Sequence, residues 1–252
     1  MLKIRIVPTL LHRDFGLVKG VQFDSRRAVG SAMQAVKVYN LRGVDELVFF
    51  DVTATQQGRE PDYDLVDDLA DECFMPLTVG GGVRTADHVR RLLSVGADKV
   101  AVGTAAVDRP EVVGEAAAQF GSQCVVVCID YRIDDEGRPC AWVRSGTTAA
   151  DVDPVELARR VEAAGAGEII LQSIDRDGTM SGYDVDTCRR VTDAVGIPVV
   201  ASGGAGTYDD MVAVLRDGGA SAVAAASIFH FTEQTPAEAR EHLRTSGFPV
   251  RR

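Results

Sequence analysis

Two glycine pairs, Gly81-Gly82 and Gly203-Gly204, have the residue types and surroundings that bind phosphate. Each pair follows a short apolar segment and precedes a predicted helix that opens with a threonine cap. Glycine lets the backbone approach an anion closely, and the free N–H groups at a helix N-terminus attract negative charge. Two such sites in one chain predict a substrate with a phosphate at each end.

The glycine pairs belong to an internal repeat. Residues 76–104 and 198–227 align in register, with an offset of 122 between Gly81 and Gly203 (203 − 81). A repeat that extends along a chain is typical of one closed domain built from similar units. The predicted domain spans residues 1–252, with half-barrels at about 1–122 and 123–252.

Short apolar strands alternate with helix-periodic segments along the whole chain. The strands are predicted at residues 4–10, 47–52, 77–80, 100–102, 125–130, 169–174, 199–202 and 222–225. Asp153 and Thr235 each precede a proline at the first helical position and a glutamate three residues after the cap. Eight strand-helix units predict an α/β fold, a single (β/α)8 TIM barrel. A doubly wound open sheet is the alternative, but no G-x-G-x-x-G follows the first strand.

The composition is consistent with one barrel and narrows the class of partner. The chain has 252 residues, of which 46% are hydrophobic, and a net charge of −10, which argues against a nucleic-acid or acidic-membrane partner. Its five cysteines lack metal-ligand spacing, so we predict no metal site and buried thiols in a reducing compartment. Without a recognisable signal peptide or membrane span, we expect a cytoplasmic protein, and we predict no cofactor.

Two connections are too long to be simple turns, and in a TIM barrel the loops after strands carry function. The first, residues 12–31, holds Lys19 between two glycines, where it can close over a bound anion. A solvated surface lysine is the alternative interpretation. The second, residues 131–151, contains a charged turn. This turn predicts a hairpin on the same face of the barrel as the first connection. Trp142 lies in it, either as a packing residue or as a substrate contact.

Motifs along nearly the whole chain carry a resemblance to one family. They include LVKGVQF, DELVFFDVTA, PLTVGGGVR, GADKV, EAAAQFGSQCVVV, DRDGT, IPVVASGGAG and AASIFHF. On these motifs the chain resembles HisF, the cyclase subunit of imidazole glycerol phosphate synthase. The resemblance implies that ammonia from a glutaminase partner passes up the barrel axis and is added to a bisphosphorylated ribulosyl nucleotide, which closes an imidazole ring.

The resemblance also suggests a role for four charged residues that begin predicted strands. These are Arg5, Glu46, Lys99 and Glu168. They are expected to ring the N-terminal mouth of the barrel, where the family has the gate of its ammonia path. A structural ion network at the barrel floor is the alternative, and either interpretation predicts a polar floor.

The resemblance implies two catalytic carboxylates, and this chain has only one of them. Asp130 ends the fifth strand and matches the family's catalytic carboxylate, whose action depends on a tuned pKa. The family's second carboxylate ends the first strand, where this chain has Leu11, and the internal repeat pairs the same two positions. Since an aliphatic side chain cannot transfer a proton, His12, Asp14 or a substrate phosphate would have to substitute.

The repeat and the resemblance together assign the remaining site residues. Catalytic roles are predicted for Lys19, Asp51 and Asp177 beside Asp130. Phosphate binding is assigned to Gly81, Gly82, Thr104, Gly178, Ser202, Gly203, Gly204, Ala226 and Ser227. Three departures from the family lie on the same face, with Thr9, Gly103 and Gln172 in place of its cysteine, asparagine and threonine.

These departures resemble a side branch of HisF-like proteins, which work with a HisH-like glutaminase and an adenylating amidotransferase to install amidine groups on surface sugars. We predict an ammonia-using synthase subunit of this type, which builds an amidine or imidazole on a phosphorylated acceptor. The chain has no G-x-C-x-G nucleophile motif, so glutamine use implies a HisH-like glutaminase, expected at the N-terminal barrel face. The alternatives are the histidine-pathway cyclase subunit and a catalytically weak conduit for ammonia.

Overall fold

The computed structural model describes residues 3–251, apart from the side chains of Ser25 and Arg26. Its strands are β1 (Arg5–Arg13), β2 (Gly16–Val21), β3 (Asp24–Gly30), β4 (Leu47–Asp51), β5 (Leu77–Gly80), β6 (Lys99–Val102), β7 (Val125–Ile133), β8 (Pro139–Val143), β9 (Thr148–Ala149), β10 (Glu168–Ser173), β11 (Val199–Ser202) and β12 (Ala222–Ala225). Eight of these described strands pair in parallel in the order β1, β4, β5, β6, β7, β10, β11, β12, and β12 pairs with β1 again. The barrel is closed, and the predicted TIM-barrel fold is confirmed.

Helices follow the barrel strands and pack around them. Within the described range they are α1 (Ala32–Leu41), α2 (Tyr63–Glu72), α3 (Ala86–Ser94), α4 (Thr104–Asp108), α5 (Glu111–Phe120), α6 (Pro154–Ala164), α7 (Val185–Thr192), α8 (Tyr208–Arg216), α9 (Ser227–Phe231) and α10 (Pro236–Thr245). The predicted caps form at α6, where the Asp153 side chain accepts from the backbone N–H of Val155, and at α10, where Thr235 and Glu238 make a reciprocal capping box. None of these helices is both long and apolar enough to cross a membrane.

The barrel interior is a separate apolar cluster, distinct from the larger core between strands and helices. Its members are Val7, Val48, Ala101, Val126, Ile170, Val200, Ala222 and Ala224. Because side chains alternate between the two faces of a strand, residues two and four positions from Val7 on β1 also point inward. Leu11 therefore faces the barrel axis, as Asp130 does on β7.

Two antiparallel hairpins extend the barrel at the carboxyl ends of its strands. β1 continues to Arg13 and pairs with β2, which pairs with β3; β7 continues to Ile133 and pairs with β8. The hairpin predicted for residues 131–151 is thus confirmed. Both barrel strands run three residues beyond their predicted ends, because hairpin partners supply hydrogen bonds there that local apolar patterning does not signal.

Candidate active site

A cavity opens at the carboxyl ends of the barrel strands. Its volume is about 1190 Å³, counting the open space at its mouth. Every residue predicted for catalysis or phosphate binding lines it: Lys19, Asp51, Gly81, Gly82, Thr104, Asp130, Asp177, Gly178, Ser202, Gly203, Gly204, Ala226 and Ser227, together with Leu11. Parallel barrel strands direct their carboxyl ends to one face, which is why residues from distant parts of the chain meet here.

Asp130 has the side-chain environment of a proton-transfer group. Burial inside the barrel raises its pKa from 3.8 to about 7; a hydrogen bond from the Cys128 thiol opposes the rise, and the Asp177 carboxylate adds to it. The Cys128 sulfur lies 3.4 Å from Oδ1 of Asp130. A carboxyl group that titrates near neutral pH can both accept and deliver a proton under cellular conditions.

Lys19 is a buried member of the site. Its side chain is 2% exposed, and its Nζ donates to Oδ1 of Asp177 at 2.8 Å. The interpretation of Lys19 as a solvated surface residue is therefore wrong. The β2–β3 hairpin that carries it is held against the loop after β10, where the backbone N–H of Gln22 donates to the carbonyl of Asp177 at 2.8 Å and Gly178 leaves room for Gly20.

Asp51 is held as a fixed negative charge. Oδ1 accepts from the backbone N–H and the hydroxyl of Thr53, both at 2.9 Å, and Oδ2 accepts from Nη2 of Arg59 at 3.0 Å. Burial alone would raise its pKa, but the hydrogen bonds from Thr53, Arg59 and the Ala54 backbone outweigh burial and keep the pKa below its usual value. This environment suits charge stabilisation better than proton transfer.

Neither His12 nor Asp14 brings a proton-transfer group into the cavity beside Leu11. Leu11 lines the cavity. His12 points to the opposite side of the strand, where its ring lies 5.5 Å from that of Phe49, and it does not line the cavity. Asp14 is exposed, pairs with Arg13 at 3.3 Å and is also absent from the cavity wall. Of the substitutes considered from the sequence, only a substrate phosphate remains compatible with this geometry.

The two glycine pairs have a backbone conformation that favours glycine, while their role in phosphate binding stays a prediction. Gly81 and Gly204 have φ of 110° and 111°, and a Cβ at either would collide with a backbone carbonyl. The surrounding hydroxyls differ between the two sites. Thr104 Oγ1 already accepts from the backbone N–H of Arg144 at 2.9 Å, whereas the buried Ser227 Oγ has no partner. A buried hydroxyl without a partner favours a bound anion at the second site.

The four predicted floor residues form one closed set of ion pairs at the opposite end of the barrel. Arg5 pairs with Glu46 at 2.8 Å and with Glu168, and Lys99 pairs with the same two carboxylates at 3.2 and 2.8 Å. Burial would raise the pKa of Glu168, but hydrogen bonds and attraction from Arg5 and Lys99 hold it below its usual value. The predicted polar floor is present, and both interpretations of it remain compatible with this arrangement.

Sequence reasoning missed several residues that line the cavity, among them Phe23, Phe50, Ala101 and Cys128. Cys128 was expected only as one of five buried thiols, although its spacing of two from Asp130 on a strand places both on one face. Of the five, Cys188 is buried and the other four are partly exposed, so the expectation of buried thiols was wrong for most of them. Phe23, at the tip of the β2–β3 hairpin, lines the cavity and lies against Gly146 of the second hairpin, where a Cβ would come within 2.8 Å of the Phe23 ring. Trp142 is outside the cavity wall and packs 5.1 Å from the Arg132 guanidinium, as a packing residue would.

The Cys128 thiol is expected to adjust the proton affinity of Asp130. A Cys128→Ala variant removes the hydrogen-bond donor, so burial is unopposed and the pKa of Asp130 should rise above about 7. Cys128→Ser keeps a donor and should restore a pKa close to the original. Carbon NMR titration of labelled carboxyl groups would measure this, with Asp130→Asn used to assign the signal. The same Asp130 pKa in all three proteins would contradict a tuning role for the thiol.

The fold is a (β/α)8 barrel with a cavity at the carboxyl ends of its strands, where enzymes of this fold have their active sites. A family model described as "Histidine biosynthesis protein" matches residues 5–235. The chain belongs to this family, whose members include the barrel enzymes HisA and HisF.

Proposed function

We propose that the chain is a HisF-like synthase subunit of a glutamine amidotransferase complex. It takes ammonia from a glutaminase partner and builds an amidine or imidazole group on a phosphorylated acceptor. The observation that carries the proposal is Asp130, a carboxyl group with a pKa of about 7 inside a cavity that also contains two glycine turns suited to phosphate. Addition of ammonia to a carbon centre and loss of water both require a group that accepts and returns protons.

The partner is proposed from the opposite end of the barrel. The ion pairs of Arg5, Glu46, Lys99 and Glu168 surround the barrel axis at the strand starts, and the interior above them is lined by small and branched apolar residues. A HisH-like glutaminase docked on this N-terminal face would release ammonia at the axis, on the side away from the acceptor. The chain itself would then exclude water from the amination step.

The proposal is tested by following nitrogen from glutamine into a product. The chain and the HisH-like protein of the same genome would be incubated with a phosphometabolite extract and glutamine labelled with ¹⁵N in its amide. We expect a phosphorylated product that carries the label and forms only when both proteins are present. Label that stays in free ammonia, with no labelled product from either glutamine or ammonium, would contradict a synthase role.

Lys99→Ala is expected to reduce the use of glutamine as a nitrogen source while leaving the use of ammonium nearly unchanged. Arg5 still pairs with both carboxylates in this variant, so one cation of the barrel floor stays in place. Incorporation from glutamine should fall about tenfold while incorporation from ammonium salts stays within about twofold, which corresponds to an effect on transfer and not on chemistry. Arg5→Ala should disturb the same step. Equal losses with both nitrogen sources would instead assign the four charges a structural role.

Anions are expected at both glycine turns. In a crystal soaked in phosphate, one anion should lie near Gly82 and Thr104 and a second near Gly204 and Ser227. The second site should fill at lower concentration, because the Ser227 hydroxyl has no internal partner. Density at neither position would remove the basis for a phosphorylated acceptor with two phosphates.

The histidine-pathway cyclase is the second candidate function. The family match over residues 5–235 favours it, as does the presence of Asp51, Asp130 and Asp177 in the cavity. Leu11 argues against it, because ring closure in the resembling enzymes uses a pair of carboxylates. The two candidates separate in a direct assay with the bisphosphorylated ribulosyl nucleotide and ammonium salt.

A further inference from the structure

The cavity wall has an apolar surface on the side formed by β1, β4 and β6, beside the polar residues Thr9 and Asp51 of β1 and β4. Leu11, Phe50, Ala101 and Gly103 line it there. The strand register makes this surface continuous, since Leu11 is paired with Phe50, and both flank the barrel axis. Gly80 on β5 makes room for the Phe50 ring, because a Cβ at that position would come within 2.7 Å of a ring carbon. Gly103 adds open space, with no atom closer than 3.8 Å to where its Cβ would be.

The opposite wall, formed by β7, β10 and β11, is polar. Asp130 is paired in register with Gln172, and Gln172 with Ser202. The Ser202 hydroxyl donates to the side-chain carbonyl of Gln172, and Asp130 is the register neighbour of Gln172, so this wall presents three adjacent hydrogen-bonding groups. A ligand in the cavity therefore meets hydrocarbon on one side and proton-transfer and hydrogen-bonding groups on the other.

Two polar groups at the rim of the apolar surface, Asp51 and Thr55, have internal partners. Both oxygens of Asp51 are taken up by Thr53, Ala54 and Arg59, and the Thr55 hydroxyl accepts from the backbone N–H of Gly82 at 3.2 Å. After β12, by contrast, the Ser227 hydroxyl is buried without a partner. A hydroxylated group placed against Leu11 and Phe50 would lose its water without gaining hydrogen bonds, which is unfavourable.

We propose that the surface of Leu11, Phe50, Ala101 and Gly103 is a subsite for a flat apolar group of the acceptor, an aromatic ring or an unsaturated hydrocarbon. The acceptor is then an amphipathic phosphate ester, with its phosphate at the turn of Gly204 and Ser227 and its reacting carbon near Asp130. The inference rests on the proposed function for the phosphorylated nature of the acceptor. Phe50 supplies a ring that can stack or pack edge-to-face with such a group.

The subsite is tested with small phosphate esters as probes. Binding of phenyl phosphate, glycerol phosphate and inorganic phosphate would be measured by calorimetry at one pH and salt concentration. We expect phenyl phosphate to bind at least about tenfold more tightly than glycerol phosphate, a difference of about 1.4 kcal/mol. Leu11→Asn should abolish this preference and leave the affinity for inorganic phosphate unchanged. Leu41→Asn makes the same exchange at an exposed leucine outside the cavity and should leave all three affinities unchanged.

Each result has a distinct meaning. Equal affinity for the phenyl and glycerol esters in the unmodified protein would overturn the apolar subsite while leaving phosphate binding, and so the proposed function, in place. A preference that survives in Leu11→Asn would also overturn it. Failure of all three probes to bind would overturn both the subsite and the phosphorylated acceptor. A methyl NMR shift of Leu11 on addition of phenyl phosphate, absent with inorganic phosphate, would locate the ring directly.

Discussion

Asp130→Asn is expected to abolish the native reaction, with a loss of about 10²- to 10⁴-fold in turnover. Asparagine keeps the size of the side chain but cannot accept a proton at neutral pH, and Leu11 provides no second carboxylate across the barrel. The readout is ¹⁵N incorporation from ammonium, which bypasses the partner. Asp175→Asn, on a half-exposed carboxylate outside the cavity wall, is the matched control. Full activity of Asp130→Asn would favour the ammonia-conduit alternative.

Comparison with the same variant should reveal how Asp130 makes the stability of the unmodified protein depend on pH. Because the pKa of Asp130 rises from 3.8 to about 7 on folding, the native protein holds a proton that the unfolded chain releases between these values. The stability of the unmodified protein therefore falls, relative to Asp130→Asn, as pH rises through this window and stays level above it, by roughly 4 kcal/mol in total. Thermal unfolding of both proteins from pH 4 to 8 would measure the difference. A constant difference would contradict a shifted pKa.

Leu11→Asp is expected to create cyclase activity that the unmodified protein lacks. The unmodified chain should form little imidazole glycerol phosphate even at saturating ammonia, and should fail to rescue a histidine auxotroph that lacks this subunit. In the variant, a second inward-facing carboxylate would restore the pair, and repulsion between the two would favour one protonated and one ionised group. The gain should be modest, because Thr9, Gly103 and Gln172 also depart from the family and catalytic groups act as a unit.

The control for this experiment is Leu11→Asn, which introduces a polar side chain of the same size without a titratable group. It should show no gain in cyclase turnover. Robust imidazole glycerol phosphate formation by the unmodified protein would contradict our preferred function. It would then assign the missing proton transfer to the substrate phosphate, since neither His12 nor Asp14 lines the cavity.

The internal repeat and the glycine turns predicted much of the site. Residues that must adopt positive φ, such as Gly81 and Gly204, are visible in the sequence because only glycine tolerates that conformation next to a carbonyl. Strand positions were also predictable from local sequence, because apolar runs bounded by turn signals define them. The half-barrel boundaries at about 1–122 and 123–252 stay a prediction from the repeat alone.

The sequence by itself determined the class of fold and the family, because glycines, caps and strand spacing are properties of residue type and order. That a carboxylate is missing at Leu11 is what the resemblance to HisF implies. Only the tertiary structure decided the environment of each group. Burial of Lys19 against Asp177, the raised pKa of Asp130 beside Cys128 and the division of the cavity into apolar and polar walls depend on strands that are far apart in sequence. Such properties arise from barrel closure, which brings their partners within a few ångströms and excludes water around them.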